Sequence, residues 1–317
     1  MDFLFAGAGA VGSSLGGFLK KAGHRVALLG RSAHMEAIRN QGLHITGLWG
    51  EHRVRGFETT TSISAVRGPF DAIFVSVKSY DTLLMARAIS PLLLPGTLLV
   101  SVQNGLGNTD ALAEATRHPL ILGGRVIYGS EIPGPGRVNI TVYTQPVLIG
   151  FSGPFVPAPE SGALQKAGVL ASVVAEAGIP CEYTEEIEKH LWAKLFYSCA
   201  LNPLGAIHRV PYGALGEKPE WRGIMEAVVC EAFAVARARK APLLWENSSD
   251  YLDLFYSKLL PDTRHHRSSM LQDLERGRKT EIDSLNGILV RYARETGVPV
   301  PVNESLTEQI QRLEKTK

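Results

Sequence analysis

The stretch Asp2-Phe3-Leu4-Phe5-Ala6-Gly7-Ala8-Gly9-Ala10-Val11-Gly12 governs how the whole chain is read. A short apolar run breaks into glycines and resumes with helical spacing, which predicts a strand, a tight turn and a helix start. Gly7 can take the positive φ of the turn, Gly9 lets the backbone approach a diphosphate, and Gly12 lets the helix pack closely on the strand. Free N–H groups and the dipole at the helix start favour an anion. Gly7, Ala8, Gly9, Ala10, Val11 and Gly12 are therefore the expected diphosphate-binding residues. Glycines also gather in ordinary turns, so the pattern needs its context.

The next residues supply that context. A helical stretch from Ala10 to Ala22, closed by Gly23, leads into a second apolar run, Arg25-Val26-Ala27-Leu28-Leu29, which completes a βαβ unit. An NAD-preferring site usually carries an acid at the end of this strand for the ribose 2′-hydroxyl, but the chain reads Gly30-Arg31-Ser32. Arg31 points to a 2′-phosphate and hence to NADP; the plain alternative is a solvated loop arginine.

A chain of 317 residues has room for about two domains, and 45% hydrophobic with 20% charged residues is the balance of an ordinary globular protein. The net charge of +2 indicates neither nucleic acid nor an anionic membrane as partner, the basic residues being scattered except for Arg264-His265-His266-Arg267. Cys181, Cys199 and Cys230 fit neither a disulfide framework nor a zinc site, so no metal is expected and a reducing cytoplasm is the simplest compartment. The apolar N-terminus has Asp2 where a leader would be basic, and no stretch reaches the roughly 18 apolar residues of a membrane span.

Farther along, a helix is expected from Arg31 to about Asn40, then a hairpin from Leu43-His44-Ile45-Thr46 and the region 51–60. Asp71 to Val77 and Thr97 to Val102 are near-continuous apolar runs, as strands buried on both faces would be. Their exits carry Lys78 and Gln103-Asn104-Gly105. Ligands of open α/β sheets lie beyond the carboxyl ends of the strands, so Lys78 and Asn104 stand where a cofactor's ribose and nicotinamide could meet them. Short strands and turns fill Leu120 to Phe151, a helix spans Ser161 to Gly178, and Ile179 to Tyr183 reads as a last strand. From Glu185 onward only helical stretches follow, near 185–200, 219–240, 247–260, 268–276, 281–296 and 303–315. The expected organisation is an α/β domain over 1–184 and an all-α domain over 185–317.

The first helix of that second domain carries an apolar stripe of Leu191, Trp192, Leu195, Phe196 and Cys199, while Lys194, Ser198 and Asn202 recur at i+4 on another face. By spacing alone this polar stripe reads as a solvated face, and Asn202-Pro203 as the helix end. Ser269 and Asp273 share a helix face, with Gly277 as a break beyond them. Thr280, Glu281 and Asp283 read as residues favoured at a helix start.

Together these residues resemble the ketopantoate reductases (2-dehydropantoate 2-reductases). The likeness runs in order through GAGAVG at 7–12, Arg31, Lys78, Gln103-Asn104-Gly105, the Lys194 to Pro203 helix, and the SSMLQD and TEID segments at 268–273 and 280–283. It implies a Rossmann-like NADP domain followed by a helical domain, with the active site in the cleft between them, and it reverses the bland reading of Lys194 and Glu281. By that likeness Lys194 binds the 2-keto oxygen and donates a proton as NADPH delivers hydride. Asn104 contacts cofactor and substrate, and Glu281 lies near Lys194 and the nicotinamide ribose. Asn202 and Ser269 hold the substrate, Asp273 supports the same loop, and Lys78 pairs with the cofactor.

Two positions depart from the family's pattern: Ser198 and Tyr212 stand where asparagines often line the substrate pocket. The expected activity is reduction of 2-dehydropantoate to pantoate, with a small 2-keto acid as the partner and a homodimer compatible with the resemblance. The same chemistry on another small 2-keto acid is the close alternative. A non-catalytic NADP sensor would keep GAGAVG and Arg31 but has no need of Lys194, Asn104 and Glu281 together.

Overall fold

The run Phe3-Leu4-Phe5-Ala6 shows no polar alternation because both faces of its strand are covered. In the computed structural model of the chain, β1 (Asp2–Ala6) lies inside an eight-stranded sheet, sending Phe3 and Phe5 into one apolar core and Leu4 and Ala6 into another. Residues 1–154 and 162–316 are described. They fall into two units, Met1–Gln103 with Asn108–Ile187, and Asn104–Gly107 with Glu188–Lys317.

In the first unit the chain forms α1 (Ala10–Lys21), β2 (Arg25–Leu29), α2 (Ser32–Gln41), β3 (Leu43–Gly47), β4 (His52–Val54), β5 (Glu58–Thr60), β6 (Ala72–Val75), α3 (Thr82–Ile89) and β7 (Leu98–Ser101). It continues with α4 (Asn108–Thr116), β8 (Ile121–Arg125), β9 (Tyr128–Glu131), β10 (Arg137–Tyr143), β11 (Val147–Phe151), α5 (Ala163–Glu176) and β12 (Cys181–Tyr183). The helix expected from Ser161 is seen from Ala163, Ser161 itself lying outside the described residues. The large sheet runs β12-β11-β8-β7-β6-β1-β2-β5 and is parallel except where β11 meets β8. A smaller sheet runs β4-β3-β10-β9.

The hairpin expected over 43–60 forms only in its first part. β3 pairs antiparallel with β4, Leu43 opposite Val54, and Gly56 at φ +81° then turns the chain so that β5 joins β2 in parallel, Glu58 opposite Ala27. Helix α1 bridges the two sheets. Its Leu15 and Phe18 share a core with Phe5 and Leu28 of the large sheet and with Leu43, Ile45, Val138 and Ile140 of the small one. On that side Phe18 meets Trp49 edge-on at 5.7 Å, and Ser14 Oγ lies 2.7 Å from Tyr128 OH.

Among the described residues the second unit holds helices and no strand: α6 (Ile187–His208), α7 (Tyr212–Gly216), α8 (Pro219–Ala238), α9 (Ser248–Leu254), α10 (Leu260–Asp262), α11 (Ser269–Glu275), α12 (Asn286–Thr296) and α13 (Pro301–Lys315). Its core is built on the apolar stripe of α6, where Phe196 is fully buried, stacks on Phe233 at 4.3 Å and meets Tyr251 edge-on at 5.5 Å. The helix expected from 281 starts later, because a 3-10 turn at Ile282–Ser284 precedes α12.

Helix α6 also outruns its expected end. Pro203 lies inside it, although proline has no N–H to give to the carbonyl one turn back. That carbonyl belongs to Cys199, and Asn286 Nδ2 donates to it at 3.1 Å. The same amide donates to Asn303 Oδ1 at 2.9 Å, and Asn303 Nδ2 in turn reaches Glu231 Oε2 at 2.7 Å. The lost helical bond is thus replaced from α12, and the helix passes through the proline.

Candidate active site

The glycine turn of the first unit has the conformation its sequence calls for. Gly7 has φ +113°, and a Cβ there would lie 2.4 Å from Val77 N, so the turn is pressed against the loop after β6. A Cβ at Gly12 would lie 2.4 Å from Gly7 O and 2.5 Å from Ser76 Oγ, which keeps the start of α1 tight on the turn. At Gly9, the residue before α1, a Cβ would find only Ser76 O at 4.0 Å. No acidic residue stands in the first turn of α1, so its N–H groups and dipole suit an anion such as a diphosphate.

Arg31 immediately precedes α2, is exposed, and accepts the N–H groups of His34 and Met35 on its carbonyl. It comes after Gly30, next to the C-terminal end of β2, whose Leu29 carbonyl takes the N–H groups of Gly7 and Ala8. Lys78 is half-buried directly after Val77, whose backbone lies under the glycine turn. Gln103 ties the neighbouring strand ends together: its Nε2 donates to Val77 O at 3.0 Å and to Thr82 Oγ1 at 2.7 Å.

In the second unit, Lys194 Nζ donates to Asn104 Oδ1 at 2.7 Å, joining two residues 90 positions apart in the chain. The two residues after Asn104 hold it in place. Gly105 has φ +82°, a Cβ there would lie 2.0 Å from Ser284 O, and Leu106 N donates to that same carbonyl at 3.2 Å. Ser284 belongs to the turn that carries Glu281: its N–H and its Oγ both donate to Glu281 O, and Thr280 Oγ1 accepts from Ile282 N. Glu281 is buried, at 7% exposure. One short turn therefore carries the carboxylate and supports the segment bearing the lysine's partner.

Ser198 and Asn202 continue the stripe from Lys194 along α6, and both are buried. Tyr212 is buried too, and its OH donates to Asn202 Oδ1 at 2.7 Å. Burial pushes the Tyr212 phenol well above its ordinary pKa, so it stays a neutral donor. With that oxygen engaged, Asn202 has its NH2 left to offer, and Lys194, Ser198 and Asn202 form a row of donors suited to an oxygen-rich, anionic ligand. The N-terminus of α11 lies alongside: a Cβ at Gly205 would be 3.5 Å from Tyr212 Cε1 and 3.6 Å from Ser268 Cβ. Ser268 caps α11 by accepting from Leu271 N at 3.0 Å, Ser269 is exposed, and Asp273 is buried with its carbonyl accepting from Arg278 N.

Known proteins match the chain from end to end. The ketopantoate reductase PanE/ApbA family model matches residues 3–152, and the model of that family's C-terminal part matches residues 186–314. The 2-dehydropantoate 2-reductase of Aquifex aeolicus is 36% identical over 316 residues, covering 99% of this chain and 97% of its own. The chain belongs to the ketopantoate reductase family. It is accordingly an oxidoreductase with a Rossmann-like first unit and a helical second one. Among solved structures, a PanE/ApbA family ketopantoate reductase from Ralstonia eutropha aligns with TM-score 0.86 and 34% identity, covering 99% of both chains. D-mandelate dehydrogenase, in a ternary structure with NADH and anilino(oxo)acetate, aligns with TM-score 0.88 and 26% identity, over 100% of this chain and 99% of that one.

Some features of this ketopantoate reductase family member are not readable from spacing. Gln103 and Ser284 have ordinary loop neighbours, and only the fold gives them their linking roles. Tyr212 and Asn202 are each noticeable in the sequence, but their mutual bond depends on α7 folding back on α6. Among the described residues there is no group of three or more His, Cys, Asp or Glu side chains that could hold a metal, and no helix long and apolar enough to cross a membrane.

Proposed function

We propose that the protein reduces 2-dehydropantoate to pantoate with NADPH, using a first domain over 1–184 and a second over 185–317. The observation that carries this reading is Lys194 Nζ at 2.7 Å from Asn104 Oδ1, at the head of a donor row continued by Ser198 and Asn202. Gly7, Ala8, Gly9, Ala10, Val11 and Gly12 receive the diphosphate, Arg31 binds the 2′-phosphate, and Lys78 pairs with the cofactor. The open approach at Gly9 and the acid-free start of α1 support that fit. When bound, the reduced nicotinamide supplies the hydride. Lys194 holds the keto oxygen and gives it a proton as negative charge grows there, which a cation favours. Asn104 orients Lys194 and touches both ligands, and Glu281 lies beside them. Ser198, Asn202 and Ser269 grip the substrate, Tyr212 lines the same pocket while its OH holds Asn202 Oδ1, and Asp273 supports them.

A second reading, the same chemistry on a bulkier 2-keto acid, is favoured by Ser198 and the aromatic Tyr212 at positions often held by asparagine, and by the likeness to D-mandelate dehydrogenase. Steady-state oxidation of NADPH and NADH with a panel of 2-keto acids, 2-dehydropantoate and aromatic members included, tests both. The highest kcat/KM with NADPH and 2-dehydropantoate is expected. A larger keto acid ranking first would favour the second reading, and oxidation with none would leave the non-catalytic NADP sensor. The proposed setting is the cytoplasm, and a mass measurement in solution distinguishes a homodimer from a monomer.

A further inference from the structure

His34 joins three elements around the proposed cofactor site, and its hydrogen bonds fix its own protonation. Gly136, in the loop before β10, donates its backbone N–H to His34 Nδ1 at 3.0 Å. A backbone amide can only donate, so Nδ1 accepts and the ring proton resides on Nε2. Nε2 lies 3.0 Å from Ser13 Oγ, which therefore accepts, and the serine's own proton points to Ala8 O at 3.3 Å. One directed chain of bonds runs from the small sheet through α2 and α1 into the backbone of the glycine turn.

The parts are buried and closely seated. His34 and Ser13 are 7% and 0% exposed. Gly136 has φ +72°, and a Cβ there would lie 3.0 Å from Ala37 Cβ, so its loop rests directly on α2. His34 also stands in the turn that Arg31 opens, giving its N–H to the Arg31 carbonyl at 3.1 Å. Its ring thus links the start of α1, where a diphosphate would sit, to the start of α2, from which Arg31 projects. Burial lowers its pKa, in keeping with the neutral ring that the bonds require.

We infer that His34, as the neutral Nε2–H tautomer, is a positioning residue for the cofactor, holding the glycine turn and the Arg31 helix start in one register. The inference rests on the proposed NADPH site. His34→Leu removes both bonds of the ring, Ser13→Ala removes the two bonds of the serine hydroxyl but keeps the ring and its bond from Gly136, and His34→Gln restores a donor toward Ser13. The measurements are NADPH Kd by fluorescence titration, KM and kcat with the best 2-keto acid, and the thermal midpoint.

His34→Leu should raise Kd and KM for NADPH about 10-fold, and Ser13→Ala about 3-fold, with kcat and the keto acid KM unchanged and partial recovery in His34→Gln. If His34→Leu does not fold, Ser13→Ala decides. A lowered thermal midpoint with unchanged NADPH Kd, or a fall in kcat with KM intact, would overturn the inference. Should the wild type bind NADPH yet reduce no 2-keto acid, the functional reading fails while Kd still decides this one. A wild type that binds no nicotinamide dinucleotide overturns both.

Discussion

Lys194 and Arg31 divide the proposed chemistry between them, one toward the substrate and one toward the cofactor. Lys194→Ala is expected to leave NADPH affinity intact and to lower kcat by about 100-fold or more, the scale of losing a positioned acid. A pre-steady-state titration beside turnover checks the separation, and near-normal turnover would remove Lys194 as the proton donor; the solvated face expected for this stripe from spacing alone is already excluded by the burial of Ser198 and Asn202. Arg31→Ala is expected to weaken NADPH by about 10- to 100-fold while changing NADH little, since a guanidinium on a phosphate makes charge-assisted hydrogen bonds. Equal losses would remove Arg31 as the discriminator. Both residues are noticeable in the sequence, Arg31 because it replaces an acid after a recognisable strand. The Lys194–Asn104 bond is not, because it joins residues 90 positions apart. His34 is even less accessible to reading: its partners lie 21 and 102 positions away, and no local pattern announces them.

At the scale of elements, β1, β6 and β7 are legible because burial on both faces leaves unbroken apolar runs. The fate of β5 is not, since a hairpin strand and a parallel edge strand carry the same local pattern and only pairing with β2 separates them. The end of helix α6 escapes a reading of the sequence for a related reason. A proline ends a helix unless something distant satisfies the carbonyl it abandons, and Asn286 is 87 positions from Cys199. Asn286→Leu leaves both the Cys199 carbonyl and Asn303 Oδ1 without its amide donor, and should cost about 1–3 kcal/mol for each of these buried acceptors. Urea denaturation followed by circular dichroism measures it. An unchanged midpoint would mean that both acceptors find other partners.

For the molecule as a whole, burial is the first cause of a lowered pKa at His24, His34 and His208, helped by the N-terminal amine at His24 and by Lys218 at His208. Each ordinarily titrates near 6.5, so the unfolded chain takes up protons there before the folded one does. Stability is then full above that pH and falls as the pH drops through 6.5 toward the lower folded values. His34→Gln should flatten this acid slope in a series of thermal midpoints against pH. A slope identical to wild type would show that His34 contributes none of it.

Asn104–Gly107 are encoded between β7 and α4 yet belong with the helical unit, seated on Ser284. Recombination between relatives has to respect that seat. A crossover at residue 187 alone would exchange the lysine while leaving behind its asparagine and the four-residue seat that fits the donor's own 281–284 turn. Two cassettes, 104–107 and 188–317, travel together as one inheritable piece. Chimeras carrying both should keep their parents' turnover, and those carrying only the long one should lose it while still binding dinucleotide. Equal activity in the two series would show that the short cassette is interchangeable among relatives.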